Sequence, residues 1–148
     1  MKRRILLLLM MTPLIAVAAE KQPDCYSSAT QGGLNACAAD EYSKADAELN
    51  VVWKAILARY SDQPVFLARL KTSQQLWLKF RDAEVDALYP LGKSEDPHTQ
   101  YGSIYPMCVG QAQTKLTQER IKQLKAWLDG SQEGESCAGS IKNSMELK

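Results

Sequence analysis

From Glu41 to Tyr60, apolar side chains recur at steps of three and four: Tyr42, Ala45, Leu49, Val52, Trp53, Ile56 and Tyr60. At about 100° per residue these positions gather on one face, which predicts an amphipathic helix. Its start is placed near Thr30, whose hydroxyl can cap a first turn that Gly32 and Gly33 weaken. Ser61-Asp62-Gln63-Pro64 reads as a stop and a new start, because proline is tolerated only in a first turn. A second helix then runs to about Tyr89, with Phe66, Leu70, Trp77, Phe80 and Leu88 on its stripe, and Pro90-Leu91-Gly92 ends it. Residues 90–102 carry Pro, Gly, Ser and charge without a period, as an exposed loop does. Ser103 can cap a third helix with Pro106 in its first turn, Val109, Ala112, Leu116, Leu124 and Trp127 as its stripe, and Asp129-Gly130 as its end. Nothing reads as a strand. The expected fold class is all-α, a small antiparallel bundle of three main helices stapled by disulfides.

The first nineteen residues set the compartment. Lys2, Arg3 and Arg4 precede an apolar stretch from Ile5 to Val17, and small residues offer a signal-peptidase site near Ala18 or Ala19. Residues 1–19 are therefore expected to be a signal peptide, 20–130 the helical domain, and 131–148 a polar tail tethered through Cys137. The product is expected to be periplasmic or secreted, without a membrane span. No cysteine stands directly after the cleavage site to carry a lipid. Removing residues 1–19 from the 148 leaves 129, enough for one core. It also removes three of the 18 basic residues and none of the 17 acidic ones, leaving a formal charge of −2. Nucleic acid is a poor partner for such a chain, since neutralising phosphates takes clustered cationic side chains.

Cys25, Cys37, Cys108 and Cys137 all fall after the cleavage site, and an even count in an oxidising compartment favours two disulfides. Three pairings exist. Cys25 with Cys37 would leave Cys108 with Cys137, whose nine-residue return from Asp129 is feasible but taut against a helical rise of about 30 Å. Each closure stabilises by about 2–4 kcal/mol. With neither C-x-x-C nor a second histidine beside His98, no metal and no cofactor is expected.

Several polar residues interrupt the stripes. Gln74, Arg81 and Glu84 fall among apolar positions of the second helix, Arg120 near the middle of the third stripe, and Asp46 and Asn50 one turn apart at the edge of the first. An inward guanidinium needs an acid, so Arg81 and Arg120 are expected to meet acids drawn from Asp46, Asp82 and Glu84. This network reads either as a ligand pocket or, in the preferred reading, as a device fixing helix register. No assembled catalytic set exists: His98 stands alone in a loop, there is no G-x-S-x-G elbow, and Asp82 with Asp86 suits a solvated helix face. Trp53, Trp77 and Trp127 fall on stripes and are read as core. The loop gathers Tyr89, Tyr101 and Tyr105 among Glu95, Asp96, His98 and Ser103, a pattern that suits partner binding as well as it suits tyrosines folded back on the bundle.

Cys25, Thr30-Gln31, Asn35-Ala36-Cys37, Ala45-Asp46-Ala47-Glu48-Leu49-Asn50, Gln74, Trp77, Phe80-Arg81-Asp82-Ala83-Glu84, Gly102-Ser103-Ile104-Tyr105-Pro106-Met107 and Leu116-Thr117-Gln118-Glu119-Arg120 resemble the signature of the LprI-like family, over about residues 25–128. The resemblance implies a small, exported, disulfide-bonded helical domain, and the family's namesake inhibits lysozyme. It supports pairing of Cys25 with Cys37. The family usually carries two further cysteines, one after its Arg-Asp-Ala-x motif and one shortly before its Leu-Thr pair, where Val85 and Ala112 stand here. Cys108 with Cys137 then reads as a replacement staple. The leading expectation is a binding protein, not an enzyme, that inhibits a lysozyme-like muramidase. The alternative is an immunity or envelope-associated protein with no hydrolase target.

Overall fold

The structure, a computed structural model, describes Ser27 and residues 30–147. Helix α1 spans Gln31–Arg59, α2 Pro64–Leu88, a short α3 Pro97–Tyr101, and α4 Tyr105–Asp129, followed by a 3-10 turn over Ser144–Leu147. The described chain is all-helical apart from one isolated β-bridge between Ser131 and Asn143. None of its helices is long and apolar enough to cross a membrane. The signal-peptide segment lies outside the described residues.

Thr30 caps α1, its hydroxyl accepting the Gly33 N–H at 3.2 Å. Pro64 opens α2 after Gln63, which gives no side-chain cap. The buried positions of α1, Ala38, Ala45, Leu49, Val52 and Ile56, advance by seven, four, three and four. Gly110, Thr117, Ile121 and Leu124 repeat the first three of those steps in α4. Two helices with matched heptad seams pack closely side by side, and α1 and α4 form the tightest pair. They run in the same direction, because Asn35 meets Ser103 at one end and Tyr60 meets Trp127 at the other. At the small-residue end Gly110 permits that approach: a Cβ there would lie 3.1 Å from the Ala38 carbonyl oxygen.

Helix α2 runs back between them in the opposite sense. It reaches the core of Leu49, Val52, Ile56, Tyr60, Ile121 and Leu124 through Leu70, with Phe66, Leu67 and Trp77 packed alongside. Large rings hold its backbone farther out. All three tryptophans are half-buried against this core.

Four expectations need correction. Phe80 is 51% exposed because it lies off the inward line of Phe66, Leu70, Gln74, Trp77, Arg81 and Val85, whereas Leu88 falls on that line but is the last residue of α2 and is 58% exposed. The aperiodic loop contains α3, whose Asp96 cap accepts the His98 N–H at 2.7 Å. Ser103 does not cap α4. Ile104 occupies that position, and the Ser103 carbonyl accepts from Asn35 Nδ2 at 3.0 Å instead. Finally, Cys108 and Cys137 are both free, so the staple between them is not formed and the tail is not tethered through Cys137. The reason is distance: Cys108 lies in the first turn of α4, while the tail is held beside its far end. Cys37 is disulfide-bonded. Cys25 lies outside the described residues.

Candidate functional site

Two groups of side chains stand out. The first follows the seam between α2 and its neighbours. Arg81 is buried, and its Nε and Nη2 both donate to Asp82 Oδ1, at 2.9 and 2.8 Å. Its guanidinium carbon lies 5.7 Å from the Tyr42 ring centre and 5.5 Å from that of Trp77, both within cation–π reach. Arg120 lies over Trp77 at 5.9 Å, so the indole is within reach of two cations. Burial holds the Tyr42 phenol above its ordinary range against the pull of Arg81, and Asp46 and Asp82 push it the same way as burial.

Arg120 does not meet an acid. Its Nε donates to Gln74 Oε1 at 3.0 Å, Nη1 to Gln123 Oε1 at 3.0 Å, and Nη2 to Ser73 Oγ at 3.3 Å. Desolvation lowers its pKa, and neutral acceptors satisfy it without a second buried ion. Asn50 Nδ2 donates to Asp46 Oδ2 at 3.1 Å, and together they line a groove of about 340 Å³ between α1 and α2 with Trp53, Gln74 and Gln75. Glu84 is exposed and takes no part in these contacts. A second groove, of about 440 Å³, follows the α1–α4 seam between Glu41, Glu48 and Lys115.

The second group sits at the end of the bundle where α2, α3 and α4 meet. Tyr89 meets Tyr101 and Tyr105 edge-on at 5.5 and 5.7 Å between centroids, and those two stack at 5.7 Å. The Tyr101 hydroxyl donates to the Pro90 carbonyl at 2.8 Å, which closes the connection on itself. Burial, reinforced by the Cys108 thiol beside it, raises the Tyr89 pKa. Around these half-buried rings, Glu95, Asp96, His98 and Ser103 are exposed. Glu95 accepts the Gly92 N–H at 2.7 Å, so the acidic rim is held in a defined turn. The rings pack on one another, and the polar rim faces solvent.

Sequence reasoning missed Tyr42 as the second ring over Arg81, and Asn35 as the link from α1 to this connection. A signal for Asn35 existed in its place beside Cys37 in the resembling motif; for Tyr42 there was none, since it read as an ordinary stripe residue. Among the described residues no group of three or more His, Cys, Asp or Glu side chains could hold a metal ion.

A family described as lysozyme inhibitor LprI matches residues 24–124. A protein of Rhizobium meliloti (strain 1021), described only as uncharacterized, is 30% identical over 128 residues, covering 79% of this chain and 87% of its own. No solved structure matches. The seam residues from Tyr42 to Arg120 and the whole tyrosine-bearing end fall inside the matched span, and the chain belongs to the LprI lysozyme-inhibitor family.

Proposed function

We propose that the protein is an exported inhibitor of lysozyme-type peptidoglycan hydrolases, acting in the periplasm or outside the cell and engaging its target through the connection between α2 and α4. The observation that carries this reading is the family match over residues 24–124. Chemistry at the tyrosine-bearing end supports it. A glycosidase of this type presents a cleft with two carboxylates, and where its body is cationic, exposed Glu95 and Asp96 would steer the encounter. Three rings already packed on one another lose little freedom on docking. In this reading Arg81, Arg120, Gln74, Asp46, Asn50 and Asp82 hold the helices in register, and a disulfide between Cys25 and Cys37 ties down the start of α1.

The test is clearing of a cell-wall suspension by a panel of lysozyme types, with the purified protein in molar excess. Slowed clearing by at least one type is expected, and Glu95→Lys should raise the half-inhibiting concentration several-fold by reversing a rim charge. Undiminished clearing by every type would sink the proposal.

A further inference from the structure

Helix α2 has a second apolar face that the bundle does not use. Val65, Leu76 and Phe80 are 75%, 60% and 51% exposed, and Ala83 and Ala87 are exposed beside them. At 100° per residue these five fall within an arc of about 60°, turned away from the inward line of Phe66, Leu70, Trp77, Arg81 and Val85. The alanines would let another helix come close.

The charges along α2 are arranged against the helix itself. Basic Arg69, which falls within the same arc, and Lys71 stand in its first half without an acid, while Asp82, Glu84 and Asp86 stand in its second beside Lys79 and Arg81, with no acid in the first turn and no base in the last. The helix macrodipole favours the opposite order, so this layout does not serve an isolated α2. Nor does it serve ion pairs within the chain: Asp82 holds Arg81, but among the described residues Arg69, Lys71, Glu84 and Asp86 have no salt-bridge partner.

Both features are accounted for by a copy of the same helix running the other way. We propose that two copies of the chain associate through an antiparallel contact between the outward faces of their α2 helices. With the two-fold axis at the level of Leu78, Leu76 of each copy lies opposite Phe80 of the other. Arg69 of each helix then comes within a residue of the level of Asp86 of the other. A 25-residue helix spans only about 37 Å, and a single helical face is narrow beside the roughly 800 Å² per partner of a standard interface, so the association is reversible and concentration-dependent.

Sedimentation velocity over about a hundredfold range of concentration tests this, in a Cys137→Ser background so that the exposed thiol cannot cross-link copies. A monomer–dimer equilibrium is expected. Phe80→Lys should weaken it at least about tenfold and Arg69→Glu by several-fold, while Arg69→Glu/Asp86→Lys, which exchanges the two charges, should restore it. All these positions are exposed, and unchanged helical circular dichroism verifies folding. Monomer at every concentration, association indifferent to Phe80→Lys, or failure of the exchanged pair to restore it would each overturn the proposal. The inhibition test above is independent of this outcome.

Discussion

Arg81 is where the balance of residue-level forces can be weighed most directly. Its side chain is inward, yet its ion pair is not, because the Asp82 side chain is 60% exposed. Nη1 is buried with no hydrogen-bond partner among the described residues, which costs about 1–3 kcal/mol. The Tyr42 and Trp77 rings return about 0.5–2 kcal/mol each, so the charge itself is close to neutral for stability. The volume of the side chain is a different matter. Arg81→Met should therefore change unfolding stability by no more than about 1 kcal/mol, since an unbranched apolar chain fills the same space. Arg81→Ala should lose about 2–4 kcal/mol to the cavity, read from the urea midpoint at unchanged slope. Equal losses in both variants would mean that the guanidinium, not its bulk, holds α2 in place. The inward placement of Gln74, Arg81 and Arg120 was legible because angular position depends only on spacing. Their partners were not: at the level of Arg120, α2 presents Gln74 and Ser73, and no periodicity reveals which neutral groups a fold brings to a cation.

At the scale of elements, the three long helices were legible nearly to their ends, since Thr30, Pro64 and Gly130 mark boundaries by local chemistry. The inward line of α2 was legible at Phe66, Leu70 and Trp77, but the edge of its stripe at Phe80 was not, because apolar residues continue onto the outward face. A five-residue helix such as α3 is too short to have a period at all. The close pairing of α1 and α4 depends on Gly110, which reads in sequence only as a weak helix former. An alanine there would gain about 1 kcal/mol in helix propensity. Its Cβ would press on the Ala38 carbonyl at 3.1 Å and the Ala38 Cβ at 3.2 Å, and backbone cannot swing aside as a long side chain does. Overpacking of this kind costs about 1–3 kcal/mol, so Gly110→Ala should lower stability by about 1 kcal/mol net. A raised urea midpoint would show instead that the two helices have room to separate.

The whole molecule is closed by contacts that no pattern announced. Counting cysteines suggested that sulfur holds the tail, but Tyr60 does so with one hydroxyl, donating to the Trp127 carbonyl at 2.9 Å and accepting the Lys142 N–H at 3.0 Å. Its ring is fully buried beside Phe66 and Trp127, so the turn after α1, the end of α4 and the tail share one anchor. Beside it, Ser131 exchanges backbone hydrogen bonds with Lys142 and Ser144, and Lys142 Nζ reaches Asp62 Oδ1 at 2.8 Å. The hydrogen bond from Lys142 lowers the Asp62 pKa. A carboxyl whose folded value lies below its unfolded one adds stability above the unfolded value of about 4, and that contribution disappears as pH falls through the folded value. Tail docking should accordingly weaken in acid, seen as lower amide protection, relative to the intrinsic exchange rate at each pH, over residues 131–143 while α1 and α4 stay protected. Asp62→Asn should remove that acid dependence and leave the tail docked through Tyr60. Tyr60→Phe keeps the ring but strands the Trp127 carbonyl and the Lys142 N–H, so it should cost about 1–3 kcal/mol and expose the tail to protease at neutral pH. If protection across the tail proved independent of pH and of both substitutions, its attachment would have to come from elsewhere, and the tyrosine could no longer be regarded as the point where the three segments are joined.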